Sequence, residues 1–358
     1  MLNSRTLFKS DLEFALIGGT ILGGGGGGSM DLGRASGEIA LEYGNLELVD
    51  INSMDDATII ITASAVGAPA APNKYVRPKD YVRCVQLLEE STGLKVGGII
   101  TNENGGAATI NGWIQSAVLG IPLIDAPCNG RAHPTGTMGS MGLNDVEGYC
   151  SSQAFSGGNP MLGNKLEGIV KGELGKAARL VRESAVHAGG LVAVARNPVE
   201  ASYIKKNAAV GGITHAIETG KEFNEGLKIS PMEAIRKVSE FLGGEIVVDG
   251  EVKEFDLVTT GGFDVGKVVV LDMEMTFWNE YMTLEFKGNR LYTFPDLIMT
   301  FNKKTGMPVT TAEISKGDEI VVMATKKENL KLGAGMYDEK LLREVEPIIN
   351  KEIINHIK

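Results

Sequence analysis

Cysteine is scarce: Cys84, Cys128 and Cys150 are the three in 358 residues. An odd number with no close pair provides no disulfide framework and points to a reducing compartment. The N-terminus, Met1-Leu-Asn-Ser-Arg, lacks the charged-then-apolar order of a signal peptide, so a cytoplasmic location is expected. No apolar stretch reaches the ~20 residues that a membrane span requires. The longest candidate, Phe14 to Leu22, is short and contains two glycines. Basic runs are equally rare. The formal net charge is −10, and no run of Lys and Arg is longer than pairs such as Lys326-Lys327; neither nucleic acid nor a membrane is expected as a partner. Missing too are a Walker A sequence, a G-x-S-x-G elbow, H-E-x-x-H and paired C-x-x-C. Spacing alone therefore yields no reaction class.

What is present is ordinary globular material. Hydrophobic residues at 43% and charged residues at 22% can bury a core, and the length favours two domains. The character of the chain changes near residue 165, which predicts an α/β domain over 1–165 and a helical entry followed by a β-rich domain over 166–358. Ser10-Asp-Leu-Glu13 reads as a capping box opening a helix that runs into Gly23–Gly28. Gly23-x-Gly25-x-x-Gly28 formally matches the dinucleotide fingerprint, but that fingerprint needs a strand before it and here a helix precedes. The alternative is a loop whose backbone passes close to a ligand or to another segment.

Short β-branched runs at Leu46–Ile51, Thr58–Thr62, Val96–Thr101 and Pro122–Ile124 predict strands. Helices are expected over Pro78–Glu90 and Ala107–Leu119, the second closing at Gly120. The alternation predicts a largely parallel sheet with right-handed crossovers, whose ligand edge carries Ser64, Glu103 and Asp125. The small-residue segment Ala63 to Pro69 reads as a loop. Further on, Leu166–Val186 has helical spacing, and Asn197-Pro-Val-Glu200 and Ser230-Pro-Met-Glu233 signal helix starts. Asp249-Gly250 signals a hairpin turn. Strand-like runs at Lys267–Leu271, Met282–Phe286, Leu297–Phe301 and Glu319–Ala324 complete a β-sandwich or barrel-like domain.

The densest polar cluster is Leu123 to Pro134, with Asp125, Cys128, Arg131 and His133 within nine residues. Four such groups on one loop need partners once desolvated; a fastening Asp125–Arg131 ion pair is the structural alternative. Glu103 is either a second working carboxylate or a charge favoured by a helix dipole. Cys128 is a nucleophile, a soft ligand or a small core residue. His133, ahead of Pro134, is a candidate acid/base. His187 reads as a helix-end charge, His215 stays open, and His356 reads as solvated. Asp125, Cys128, His133 and His215 are all metal-ligand types, so a divalent metal stays open, and no cofactor is otherwise indicated.

Several segments together resemble one family. The helix entering Ile21-Leu-Gly-Gly-Gly-Gly-Gly-Gly, the segment Glu103-Asn-Gly-Gly, and Gly120-Ile-Pro-Leu-Ile-Asp125 with Gly130-Arg-Ala-His-Pro134 are similar to the S-methyl thiohydantoin desulfurase family. So are Phe294-Pro-Asp-Leu-Ile298 and Thr305-Gly-Met-Pro308. The resemblance covers nearly the whole chain and implies an α/β N-terminal and a β-rich C-terminal domain. Two departures stand out: where the family has a second Asp before Gly-Arg-Ala, this chain has Pro127-Cys128, and His133-Pro134-Thr135 replaces a bulky apolar residue, Pro and an acid. If that second Asp is catalytic in relatives, this chain uses Cys128 or acts on another substrate.

The resemblance implies a hydrolase that converts an S-methyl thiohydantoin to the hydantoin and methanethiol. Asp125 or Glu103 would be the base, His133 the proton donor, Arg131 an orienting cation and Cys128 a further catalytic candidate. Gly24, Gly25 and Gly26, as an anion-stabilising nest, would hold substrate with Ser64 and Asn104. Asp296 is either a contributor from the second domain or a turn aspartate. The expected partner is a small cyclic ureide-like substrate, and a homo-oligomer is expected. Rival readings are a metal-assisted hydantoin amide hydrolase and a ligand-binding accessory subunit of hydantoin metabolism.

Overall fold

The computed structural model describes residues 3–67, 71, 73–261 and 263–357. It has two eight-stranded sheets. The first is mixed and runs in the order β1 (Ser4–Leu7), β2 (Leu46–Val49), β5 (Leu123–Ile124), β4 (Gly98–Thr101), β3 (Ile59–Gly67), β8 (Leu191–Glu200), β6 (Ser151–Gly157), β7 (Leu166–Gly172). Its centre, β2 to β3, is parallel, while β1 and the β8-β6-β7 flank are antiparallel.

The second sheet is antiparallel throughout and takes β9 (Glu245–Thr260), β10 (Phe263–Val270), β11 (Met273–Trp278), β12 (Glu280–Phe286), β13 (Asn289–Thr293), β14 (Leu297–Asn302), β15 (Pro308–Val309) and β16 (Glu319–Thr325). Its order is β13-β12-β11-β10-β9-β16-β14-β15. Leu284 of β12 and Ile298 of β14 share one core with Val252, Met275 and Val322, in keeping with the β-rich second domain expected.

The helices are α1 (Lys9–Gly23), α2 (Met30–Tyr43), α3 (Pro78–Thr92), α4 (Trp113–Leu119), α5 (Leu174–His187), α6 (Ala201–Asn207), α7 (Gly212–Leu227), α8 (Pro231–Phe241), α9 (Glu339–Arg343) and α10 (Glu346–Ile349). The α1–α7 pair is the layer shared by the two sheets. Leu12, Leu16, Ile213 and Ile217 join the core of the first sheet, whereas Ile21, Leu22, Ala216 and Phe223 pack with Leu297, Phe301 and Val321 of the second.

Several expectations shift by identifiable physics. α1 is capped at Phe8, two residues earlier than expected: Asp11 accepts from the Phe8 N–H at 3.0 Å, while Glu13 is drawn outward by Arg34 at 3.0 Å. The helix expected over Leu166–Val186 is β7 followed by α5. Residues 166–172 complete the sheet edge against β6, and Glu173 then caps Gly175 and Lys176. No turn forms at Asp249-Gly250. These residues lie within β9, whose first half pairs with β16 and whose second half pairs with β10, so two neighbours override the local turn preference. Ser64 is likewise inside β3, paired with Val194, rather than on a loop; Ala68 and Pro69 of that expected loop lie outside the described residues. Ser230 caps α8 as read, accepting from the Glu233 N–H at 3.1 Å.

Candidate active site

The glycine run joins two helices. α1 ends at Gly24 in the left-handed region (φ 59°), and α2 starts after Ser29, whose hydroxyl accepts from the Leu32 N–H. With no strand before it, the run lacks the dinucleotide-binding context. It forms instead the seam between the sheets. Gly24 O accepts from the Tyr281 N–H at 2.8 Å and Gly25 O from the Thr311 N–H at 3.0 Å, while Gly27 O takes the Ala107 and Ala108 N–H groups. The Gly24 and Gly26 N–H groups bond back to Ile21 O and Gly23 O. Two of the three N–H groups expected to form an anion nest are therefore already committed. What the run supplies is proximity: a Cβ at Gly24 would lie 2.7 Å from Arg131 Nη2, and one at Gly26 would overlap Glu280 Oε1 at 2.0 Å.

Glu103 follows β4, and His133 lies on the loop after β5. The His133 N–H donates to Glu103 Oε2 at 3.2 Å, and His133 Nε2 stands 3.1 Å from the same oxygen without the alignment of a hydrogen bond. The two residues are only 8% and 6% exposed. Burial pushes Glu103 up to about 8, against opposing pulls from the His133 N–H and Arg196. Burial, with the Arg196 charge, pushes His133 down to about 4. At neutral pH the imidazole is uncharged, so it holds Glu103 as a neutral neighbour and not as an ion-pair cation.

Arg131 is fully buried. Its Nη1 donates to Pro295 O at 3.0 Å and to Asp296 O, its Nε donates to Ala132 O, and Nη2 has no partner. The guanidinium lies over the Phe294 ring, 4.5 Å from its centroid. Burial lowers it to about 10, which leaves it a cation. The C-terminal sheet thus holds the cation by backbone carbonyls, while the Asp296 carboxylate turns away to Lys326 and the Lys327 N–H.

The expected residues separate in the structure. Asp125 is the cap of α7: Oδ1 accepts from the Ile213 and Thr214 N–H groups at 2.8 and 3.1 Å, and Oδ2 from the Thr214 hydroxyl. Its oxygens are engaged, it makes no ion pair with Arg131 among the described residues, and the structure does not assign it water activation. Asn104 is equally committed, donating to Gly130 O and Gly212 O and accepting from Thr109. The Cys128 thiol sits 3.2 Å from the Thr62 hydroxyl. Burial pushes it up to about 11, so it is a protonated core thiol and a poor nucleophile. His215 is a half-buried residue of α7, set edge-on to Phe241 and lowered to about 4 by burial and Lys331. Among the described residues no group of three or more His, Cys, Asp and Glu side chains is placed to hold a metal. The four candidate ligands Asp125, Cys128, His133 and His215 do not converge.

Two charged residues went unread. Arg196 lies in register with Thr62 and Gln153 across β3, β8 and β6, 5% exposed and with Nε unpartnered. Ser64 Oγ and Gln153 Oε1 are buried without partners on the same sheet. Glu280 opens β12, is 2% exposed and leaves Oε2 unpartnered. The available signal for Arg196 was one charge ending the apolar run Leu191-Val-Ala-Val-Ala195. A surface groove of about 490 Å³ lined by Tyr43, Arg77, Arg83 and Glu167 shares none of these residues.

Comparison with known proteins follows the same division into two halves. A crystal structure of a protein from Chromobacterium violaceum superposes with a TM-score of 0.72 at 21% identity, covering 96% of this chain and 97% of that one; it shares the fold. No curated protein matches the chain. The model of the S-Me-THD-like N-terminal domain matches residues 10–165, and that of the S-Me-THD-like C-terminal domain matches residues 173–331. The two matches span most of the sequence in order, and the chain belongs to the S-Me-THD-like family.

Proposed function

We propose that the chain hydrolyses the S-methyl thiohydantoin ring, releasing methanethiol and leaving a hydantoin. The observation that carries this reading is the buried group Glu103, His133 and Arg131, in which Arg131 Nη2 and both His133 ring nitrogens lack protein partners. Unpaired buried polar groups are costly, and a ligand that supplies the missing bonds accounts for them. The reacting carbon is a cyclic thioimidate. Water must be deprotonated as it attacks, and the adduct's charge must be met by a donor. Glu103 is the base, with a proton affinity raised toward that of a working base by its desolvation. His133, neutral, fixes the Glu103 oxygen through its backbone N–H. Arg131 presents the free Nη2 to the developing negative charge, where a preorganised cation in a dry site acts most strongly.

The test is methanethiol release from an S-methyl thiohydantoin by the purified chain and by Glu103→Gln. The wild type is expected to turn over, with the variant lower by roughly 10²–10⁴-fold. Undiminished release by the variant would overturn the base; no release by the wild type would overturn the reaction.

A further inference from the structure

We propose that Glu280, contributed by the C-terminal sheet, is the acid that protonates the ring nitrogen, working opposite Glu103 with Arg131 between the two roles. This rests on the reaction proposed above. Glu280 stands where the β11–β12 hairpin pairs Trp278 with Glu280, and its backbone is fixed from both sides. On one side Asn279 takes a left-handed conformation (φ 56°). Its N–H donates to Asp264 O at 2.7 Å, its Oδ1 accepts from the Asp264 N–H, and its carbonyl accepts from the Thr311 hydroxyl at 2.6 Å. On the other side the Tyr281 N–H is bonded to Gly24 O. The side chain occupies the space that a side chain at Gly26 would fill. The hairpin and the glycine run therefore aim one carboxyl group at the seam and leave Oε2 with no partner.

A carboxyl group with an oxygen buried and unpartnered is held in its neutral form. The charged groups that act on it are Glu103, which pushes its proton affinity further up, and Arg131, which pulls it down. Glu103 has in addition the His133 N–H and the Arg196 charge in its favour. Of the two carboxyl groups, Glu103 ionises first and Glu280 keeps its proton. The O–H of Glu280 then needs an acceptor that the protein does not supply, and the imine-type nitrogen of an S-methyl thiohydantoin is one.

The proton balance closes. Glu103 takes one proton from water as the C–O bond forms, and Glu280 gives its proton to the ring nitrogen as the C=N bond becomes single. On collapse the new C–O–H returns its proton to Glu280 as the carbonyl forms. The C–S bond breaks, and Glu103 passes its proton to the departing methanethiolate. Both residues end as they began.

The experiment compares the wild type, Glu280→Gln and Glu280→Asp for methanethiol release across about pH 6–10, with thermal unfolding of each. An amide copies the shape of a protonated carboxyl group, so Glu280→Gln is expected to unfold near the wild-type temperature. Its kcat is expected to fall by roughly 10²–10⁴-fold, with KM little changed and the alkaline descending limb of the profile lost. Glu280→Asp, a shorter acid, is expected to restore part of the rate. If the wild type turns over and Glu280→Gln does so within about tenfold with the same pH profile, the assignment of Glu280 falls while the reaction stands. Should Glu280→Gln fail to fold, full turnover with an unaltered pH profile in Glu280→Asp would overturn it equally. A wild type that releases no methanethiol removes the reaction, and the role of Glu280 with it.

Discussion

Glu103 and Asp125 are both carboxylates just beyond the ends of adjacent parallel strands, and the fold gives them opposite work. Asp125 meets the N-terminus of α7 and accepts three hydrogen bonds from Ile213 and Thr214, as an N-cap does. Glu103 meets one backbone N–H and a buried imidazole, and keeps acceptor capacity for a ligand. Replacing Asp125 by alanine is expected to lower unfolding free energy by about 1–2 kcal/mol, the usual effect of removing a cap, as read from denaturant curves. Methanethiol turnover abolished at unchanged stability would instead make Asp125 a working base. The sequence placed both acids on the correct sheet edge because strand ends follow from local apolar runs. It could not separate them, because the group that claims Asp125 lies 88 residues further on. Glu280 and Arg196 escaped for a related reason: the first precedes the strand read at Met282–Phe286 and the second the helix start read at Asn197–Glu200, both segments are strand in the structure, and the importance of each residue comes from which distant face it meets.

At the scale of elements, the α1–α7 crossing is what brings the two sheets together. It is a backbone-to-backbone contact. A Cβ at Gly18 would lie 1.8 Å from Ala216 O, and one at Gly220 would lie 2.0 Å from Phe14 O. Alanine favours an isolated helix over glycine by about 1 kcal/mol, but here the obstacle is the neighbouring main chain, which no rotamer change can move. Separating the helices would strain both cores they serve, and overpacking of this kind costs about 1–3 kcal/mol or more. Gly220→Ala is therefore expected to lower the urea midpoint at unchanged m-value; a midpoint at or above that of the wild type would show that the crossing can open freely. The two glycines of Phe14–Leu22 were visible in the sequence, yet pairing Gly18 with Gly220 required the tertiary fold. The same limit explains β7 and β9. Leu166–Gly172 and Asp249-Gly250 have local patterns for helix and turn, and each becomes strand because a neighbouring strand offers a full ladder of hydrogen bonds, a case of tertiary pairing overriding weak local preference.

For the whole molecule, enclosing Glu103 and His133 between two sheets ties stability to pH with opposite signs. His133 has its proton affinity depressed to about 4 from an ordinary 6.5, so the folded state binds its proton less readily than the unfolded chain. Its contribution is present above about pH 6.5 and is lost as pH falls toward 4. Glu103 is raised to about 8 from 4.5; its contribution is present below about pH 4.5 and is lost as pH rises toward 8. Between about pH 4.5 and 6.5 the His133 slope opposes that of Glu103. Above 6.5 the His133 slope is gone; the Glu103 share of the decline over the 1.5 units to pH 8 amounts to about 2 kcal/mol at 1.36 kcal/mol per unit, and Glu280, also raised by burial, adds a share of the same sign. Glu103→Gln cannot ionise and should remove the Glu103 share of that decline. Urea unfolding at pH 6.5 and pH 8 measures it directly: the wild type is expected to lose up to about 2 kcal/mol more than the variant between the two. Equal losses would mean that Glu103 ionises in the folded chain as it does in water, and that the seam between the sheets is wet enough to solvate it.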